Sequence, residues 1–301
     1  MADVGTNKPG SEGDSLGTLY VVGTPIGNLA DITYRAVGVL SRVDLIIGEN
    51  VSRTRALCSR YNIRTKVMAF RRENQKTKTP RIVDLLASGR NIALVSDAGT
   101  PGLSDPGGLL VDAVSKARID VRPIPGPCAV AGAVSVSGMP AENFLFLGFL
   151  PSKSGRRRTG IASLKQETRT TVFFEAPHRL RGTLGDMADI LGDRQVMVAR
   201  EMTKVFEEFI RGPSASVLDR LPDQVKGEIT VVVEGAANLS DAEEPDCDLR
   251  KAVDALMMDG KISLREAAGR LSTQNGITYR RAYKICLDRK KVLQKRSEDG
   301  D

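Results

Sequence analysis

The chain has 301 residues, of which 41% are hydrophobic and 27% are charged, and its net charge is +7 at neutral pH. This size and composition predict two or three domains with sizeable cores. The longest apolar run, FLFLGFL at residues 144–150, has strand length and falls short of the roughly 18 residues that a membrane span needs, so no membrane span is expected. Residues 1–16 carry three acids and one lysine, which excludes a signal peptide and predicts a disordered leader on a cytoplasmic protein.

In the first half, apolar β-rich runs lie at residues 19–24, 43–49, 66–70, 91–97 and 121–125, with helical stretches between most of them. This alternation predicts a parallel sheet covered on both faces, with ligands at the carboxyl ends of the strands. We therefore expect an N-terminal α/β domain at residues 17–126.

In the second half the strand-like segments come closer together, and some gaps are too short for a crossover helix. That spacing predicts a mixed sheet rather than a parallel one. We expect a second α/β domain at residues 127–236, with the boundary near residues 125–127.

The charge pattern predicts two further segments. Residues 236–248 hold five acids and no base, whereas residues 280–296 hold eight lysines or arginines. We expect an acidic linker at 237–248 and a basic helical module at 249–301. A capping box of Ser263 and Glu266 opens one of its helices. The module could be a helix-turn-helix or a small helical cap, and the pattern favours neither.

Two basic clusters favour a polyanionic partner, and nucleic acid is the polyanion that we expect. One is KSGRRR at 153–158, expected to be a mobile loop. The other lies on the last helix, where Ala282, Ile285 and Cys286 can pack inward. The candidate RNA-binding residues are Lys153, Arg156, Arg157, Arg158, Arg281, Lys284 and Arg289.

The four cysteines, Cys58, Cys128, Cys247 and Cys286, form no CxxC pair, so neither a disulfide framework nor a zinc site is indicated. His178 is the single histidine, which excludes a two-histidine metal site. We expect reduced thiols and no metal.

Three glycine-containing turns follow strands: GTPIGNLAD at 23–31, SDAGTPGLSDPGG at 96–108 and PIPGPCA at 123–129. In the second turn, Asp97 ends a strand, and Asp105 with Pro106 reads as the N-cap and first residue of a helix. None of the three is a Walker loop or a GxGxxG fingerprint. Their convergence on one sheet edge predicts a ligand cleft.

These turns, together with FLFLGFLP, FFEAPHRL, AREMTKVFEEFIRG and KGEITVVVEG, occur in the order and spacing of the tetrapyrrole methylase superfamily. More narrowly, the chain resembles the bacterial ribosomal RNA small subunit methyltransferase I branch. The likeness extends over residues 17–293. It implies two α/β domains with S-adenosylmethionine in the cleft between them, a homodimer, and 2'-O-methylation of a cytidine in the decoding region of 16S rRNA, in the small ribosomal subunit.

The resemblance also implies site residues. Cofactor contacts are expected from Pro25, Gly27, Asp97, Gly99, Thr100, Pro127, Glu175, Ala176 and Pro177. A ribose hydroxyl needs help to lose its proton, and Glu49 is the leading candidate for that base. Asn28 and Asp31 could orient the nucleotide. Both acids keep plain alternatives, since Asp97 could be a turn-stabilising residue and Glu49 a solvated strand end.

The chain departs from the family pattern on the expected substrate side. It has Glu49-Asn50-Val51-Ser52 where members usually have Glu-Asp-Thr-Arg, and Arg71-Arg72-Glu73-Asn74 where many have His-x-His-Asn. One acid and two histidines are therefore missing. Two alternatives stay open: a tetrapyrrole C-methyltransferase, and a non-catalytic RNA-binding factor of ribosome assembly with a degenerate active site.

Overall fold

The computed structural model describes residues 16–237, 246–257, 262–276, 278–279, 282–287 and 289–290. Residues 1–235 form one compact unit and residues 236–301 a second. The first unit contains two five-stranded sheets. Residues 1–15 of the predicted leader and most of the predicted acidic linker lie outside the described residues.

The first sheet is parallel throughout, in the order β3-β2-β4-β1-β5. Its strands are β1 Thr18–Val22, β2 Leu45–Gly48, β3 Val67–Ala69, β4 Ile92–Val95 and β5 Asp120–Ile124. The helices α1 Tyr34–Arg42, α2 Val51–Arg60, α3 Gln75–Ala87 and α4 Gly108–Lys116 connect them. One apolar cluster joins the sheet to α1 and α2, and a second joins it to α3 and α4. The prediction of a parallel sheet covered on both faces is confirmed.

The second sheet has the order β6-β7-β10-β8-β9, and only β6 pairs in parallel with its neighbour among these strands. Its strands are β6 Phe144–Phe149, β7 Thr170–Glu175, β8 Gln195–Arg200, β9 Glu208–Pro213 and β10 Ile229–Val233. The helices α5 Ala129–Ser137, α6 Ser154–Ala162, α7 Pro177–Leu191 and α8 Ser214–Arg220 accompany it. The prediction of a mixed sheet is confirmed. Because α5 already packs on β7 and β10, the chain passes to the second sheet just after Ile124.

The prediction of a mobile loop at 153–158 is wrong, since α6 begins at Ser154. The sequence hides this helix because its run of arginines looks like a solvated loop. Arg157 is buried and donates from Nε to Asp186 on α7 at 2.8 Å. The buried ion pair between Arg157 and Asp186 therefore holds α6 against α7.

The predicted helix start at Asp105 is also wrong, because α4 begins at Gly108 with Gly107 as its N-cap. Gly107, which would lie in the first turn of a helix that begins after Asp105, has a φ of 145°, far from the helical value. Asp105 and Pro106 consequently lie in a tight loop between β4 and the helix.

The second unit contains α9 Asp246–Met257 and α10 Leu264–Asn275, and residues 282–287 are helical as well. Its own apolar core includes Leu249, Leu271, Ala282 and Cys286, with Ile285 packed against it. This confirms the expected inward face of the last helix. Ser263 caps α10 by accepting a hydrogen bond from the Glu266 N–H. In the part of the chain that the structure describes, no helix is long and apolar enough to cross a membrane.

Candidate functional site

The three glycine-containing turns meet at the carboxyl edge of the first sheet. Thr24 and Gly99 exchange two backbone hydrogen bonds, of 2.9 and 3.0 Å. Gly23 lies against Gly126 so closely that a Cβ on Gly23 would stand 2.9 Å from the Gly126 Cα. Gly99 has a φ of +76°, a conformation that favours glycine. The predicted convergence of the turns is confirmed.

A cavity of about 350 Å³, here called the inter-sheet cavity, opens between these turns and the second sheet. Five of the expected cofactor residues line it: Gly99, Thr100, Glu175, Ala176 and Pro177. Apolar side chains form much of the remaining wall, among them Leu103, Phe149, Phe174, Met202 and Ile229. Two acidic residues, Asp105 and Glu228, also line it.

A second cavity of about 340 Å³, here called the loop cavity, lies beside the first and is lined by three more of the expected cofactor residues, Pro25, Gly27 and Asp97. Arg53 and Lys204 add positive charge to its wall. Ile26, Ala98 and Glu228 line both cavities, so the two share a boundary. The bridge between Thr24 and Gly99 lies in the same part of the molecule.

Four expected site residues line neither cavity: Pro127, Glu49, Asn28 and Asp31. The carbonyl oxygen of Pro127 nevertheless stands 3.7 Å from the position that a Cβ on Gly99 would take. Asn28 caps a short 3-10 turn at Leu29–Asp31 by accepting a hydrogen bond from the Ala30 N–H. Asp31, on that turn, is exposed.

Asp97 ties the second turn to the start of α2. Its Oδ1 accepts a hydrogen bond from the Asn50 N–H at 2.9 Å, and its Oδ2 pairs with Arg53 at 3.2 Å. Asn50 in turn caps α2, accepting from the Ser52 and Arg53 N–H groups. Asparagine therefore supplies the cap at the position where the family pattern has aspartate.

The carboxylate of Glu175 is turned away from solvent and fully engaged. It accepts hydrogen bonds from the Ala176 N–H at 2.8 Å and the Thr183 hydroxyl at 2.7 Å, and it pairs with Arg179. These contacts fix the turn between β7 and α7. The carboxylate thus shapes the wall of the inter-sheet cavity, and only other atoms of Glu175 remain for a ligand.

Asp105 is the site residue that the sequence reasoning missed, because it was assigned as a helix cap. It lines the inter-sheet cavity and makes no ion pair among the described residues. Burial raises the pKa of its carboxyl from 3.8 to about 6, and the negative charge of Glu49 adds to the rise. The sequence feature that could have identified Asp105 is its place as the second aspartate of the motif SDAGTPGLSDPGG.

The stretch Arg71–Asn74, which departs from the family pattern, borders this carboxyl group. Arg71 donates from Nε to the Glu49 carbonyl at 3.2 Å, and Arg72 donates to the Ser104 carbonyl at 3.3 Å. The arginines thereby link β2, the segment after β3, and the loop of Asp105. Within the described residues, no three His, Cys, Asp or Glu side chains gather as metal ligands would.

The structure divides the expected RNA-binding residues. Lys153, Arg156 and Lys284 are exposed. Arg157 is buried, and Arg158 pairs with Asp186 and Asp189. Arg289, expected to face outward, instead makes two 2.6 Å hydrogen bonds to Asp254. Arg281 lies outside the described residues.

The folding pattern and the motifs agree with the comparisons to known proteins. The family model "Tetrapyrrole (Corrin/Porphyrin) Methylases" matches residues 18–218. Ribosomal RNA small subunit methyltransferase I of Thermotoga maritima is 47% identical over 221 residues, covering 73% of this chain and 99% of that protein. The protein of the same name from Escherichia coli O157:H7 is 39% identical over 282 residues, covering 92% and 97%.

Among solved structures, uroporphyrin-III-C-methyltransferase from Thermus thermophilus has a TM-score of 0.51 at 20% identity. The match covers 72% of this chain and 94% of that one, and it shows a shared fold. The chain therefore belongs to the tetrapyrrole methylase family and, within it, to the ribosomal RNA small subunit methyltransferase I family of methyltransferases.

Proposed function

We propose that the protein transfers the methyl group of S-adenosylmethionine to the ribose 2'-hydroxyl of a cytidine in the decoding region of 16S rRNA. The observation that carries the proposal is the pair of adjoining cavities at the carboxyl edge of the first sheet. One suits a small cofactor and the other a polar acceptor. The printed names of the relatives supply the class of acceptor, ribosomal RNA of the small subunit.

The inter-sheet cavity fits S-adenosylmethionine by size and chemistry. Its volume lies in the range of small-molecule sites, roughly 300–1,000 Å³. The apolar wall around Phe174 and Ile229 suits the adenine, and the turn at Gly99 and Thr100 brings backbone close to the ligand. Glu228 provides negative charge for a sulfonium. The cofactor supplies a methyl group activated by that sulfonium.

The loop cavity suits the ribose and phosphate of the acceptor. Arg53 has a side chain that is 63% exposed, and its partner Asp97 leaves part of the guanidinium available. Lys204 adds a second cation, although Glu201 and Glu228 pair with it. Since the cavities share Ile26 and Ala98, an acceptor there would meet the methyl group at the common boundary.

Exposed cations outside the cavities support an RNA partner. Lys153 and Arg156 stand on α6 and its N-terminal edge, and Lys284 stands on the second unit. Phosphate contacts of this kind position an RNA without reading its sequence. The proposal also includes a cytoplasmic location, where ribosomes are assembled, and a homodimer.

A choice of acceptors tests the proposed function. Purified protein is incubated with methyl-labelled S-adenosylmethionine and, in separate reactions, unmethylated small ribosomal subunits, free 16S rRNA, or uroporphyrinogen. We expect label in the subunits or the rRNA and none in the uroporphyrinogen. Label in uroporphyrinogen would support the tetrapyrrole alternative, and binding of subunits without transfer would support the non-catalytic one.

A further inference from the structure

We propose that Asp105, rather than Glu49, is the catalytic base that takes the proton from the acceptor hydroxyl, and that Glu49 is a positioning residue acting through it. The inference rests on the proposed function, because it assigns a role in that reaction. It begins from the placement of the two carboxyl groups. Asp105 lines the inter-sheet cavity, whereas Glu49 lines neither cavity.

Asp105 also lies near the wall of the loop cavity, although it does not line that cavity. The side chain of Ser96, which lines the loop cavity, lies near enough to the Asp105 carboxyl to lower its pKa. Ser96 in turn donates to the Gly99 carbonyl at 3.2 Å, on the turn that the inter-sheet cavity exposes. A residue that lines the inter-sheet cavity thus lies beside a residue of the loop cavity. A base for this reaction needs that position.

The loop that holds Asp105 is constrained at both ends. Before it, Ser104 adopts a φ of 68°, unusual for a residue other than glycine, and its carbonyl accepts a hydrogen bond from Arg72. After it, Gly107 has a φ of 145°, and a Cβ there would come within 2.9 Å of the Leu94 side chain. Backbone strain kept in place by such contacts is typical of functional sites.

The charges around Asp105 prepare it for proton transfer near neutral pH. Burial and the negative charge of Glu49 raise its pKa, and Asp97 contributes a smaller rise. The nearby side chain of Ser96 and the positive charge of Arg72 lower the pKa and limit that rise. The resulting pKa of about 6 leaves the carboxyl ionised at pH 7 yet more basic than an ordinary aspartate.

With Asp105 as the base, every bond, electron pair and proton of the methyl transfer is accounted for. The ribose oxygen forms its bond to the methyl carbon as the bond from that carbon to the sulfonium breaks, and the electron pair returns to sulfur. The hydroxyl proton passes to the Asp105 carboxylate, which then releases it to water. No further co-reactant is needed.

Nuclear magnetic resonance tests the electrostatic part without any reaction. The protein is labelled with ¹³C at the aspartate carboxyls, and the Asp105 signal is identified by its loss in Asp105→Asn. We expect that signal to titrate near pH 6, at lower pH in Glu49→Gln, and at higher pH in Arg72→Gln. Titration near pH 4, or no response to either change, would overturn the proposal.

Single-turnover methylation of small subunits tests the chemical part. Asp105→Asn should slow methyl transfer by about 100-fold or more and remove the inflection near pH 6 from the plot of transfer rate against pH. Calorimetry should find its S-adenosylmethionine affinity within threefold of wild type. Glu49→Gln should keep the inflection and move it to lower pH. Asp112→Asn, an exposed carboxylate paired with Lys116, serves as the control.

The outcomes separate this inference from the proposed function. If the wild type transfers methyl to rRNA and Asp105→Asn does so within twofold of its rate, Asp105 is not the base and the proposed function stands. If the wild type methylates no RNA, the proposed function fails, and the titration experiment still measures the coupling between Asp105 and Glu49.

Discussion

Single residues at the carboxyl edge of the first sheet decide how closely a ligand can approach. Gly99 has a positive φ, and a Cβ there would stand 3.3 Å from the Ile26 side chain. Ile26 lines both cavities. A side chain at position 99 would therefore strain the backbone and push into the boundary between the two cavities.

We expect Gly99→Val to lose measurable S-adenosylmethionine binding, a drop of more than tenfold in affinity by calorimetry. Gly102→Val is the matched control, because Gly102 also has a positive φ, of 83°, but nothing lies within 4 Å of its would-be Cβ. The control should lose some stability and keep the affinity. Wild-type affinity in Gly99→Val would remove this turn from the binding site.

Asp105 should influence stability as well as catalysis. Because its pKa is raised on folding, its contribution is fully present below about pH 4 and is lost as the pH rises through about 6. We expect Asp105→Asn to gain unfolding free energy relative to wild type across that window and to keep the gain at pH 8. Urea denaturation at pH 4, 6 and 8 measures it. A constant difference at all three pH values would contradict the raised pKa.

The sequence could predict which turns form the site better than it could predict individual roles. Gly99, Thr100 and the turn at Ala176 line the expected cavity, since their motif positions follow directly from strand ends. Asp105 was missed because Asp-Pro is a common helix start, and nothing local to the sequence reveals the positive φ of Ser104 and Gly107 that displaces the helix. Likewise, the partners of Glu175 lie on a helix whose packing only the fold defines.

At the scale of elements, the strands were predictable and one helix was not. Apolar runs located β1, β2 and β4 most directly, because parallel strands buried on both faces are almost continuously apolar. The α6 helix was hidden, since its burial depends on an ion pair with α7 that is distant in sequence. Arg157 and Asp186 each keep only 10% of their side-chain surface exposed.

This ion pair gives an element-scale prediction. Burial disfavours the ionised Asp186, but hydrogen bonds from Arg158 and Arg157 outweigh it and hold the pKa below its ordinary value. Asp186→Asn would leave Arg157 buried without its counter-charge, so we expect a loss of about 3–5 kcal/mol in unfolding free energy.

Asp189→Asn is the matched control, since that carboxylate is 66% exposed and pairs with the same Arg158. We expect it to cost less than about 1 kcal/mol in urea denaturation at pH 7. Because the Asp186 pKa is lowered on folding, its contribution should be present above about pH 4 and decline below it. Equal losses in the two variants would mean that α6 does not depend on the buried pair.

At the scale of the whole molecule, the chain combines a two-sheet unit with a helical unit that has its own apolar core. The Thermotoga maritima relative is matched over 99% of its length by 221 residues, so about a quarter of this chain has no counterpart there. Both cavities are lined entirely by residues of the first unit. The second unit is thus separable from the proposed chemistry.

We expect truncation before Asp248 to retain S-adenosylmethionine affinity and to weaken binding to small subunits. Each lost phosphate contact should flatten the dependence of log affinity on log salt by roughly 0.7–0.9. Lys284→Ala in the full chain should reduce the slope of log affinity against log salt by the amount expected for about one phosphate contact. Arg289→Ala should leave that slope unchanged, because Asp254 already pairs with this arginine. An unchanged affinity and salt slope after truncation would make the second unit a structural cap.

The position of the transferred methyl group distinguishes methylation of a ribose hydroxyl in 16S rRNA from methylation of a base. Small subunits lacking the modification are methylated by the protein, and the rRNA is digested to nucleosides for mass spectrometry and, separately, cleaved with alkali. The account predicts 2'-O-methylcytidine and one new alkali-resistant linkage in the decoding region. A methyl group on a base carbon or nitrogen, with every linkage still cleaved by alkali, would contradict it.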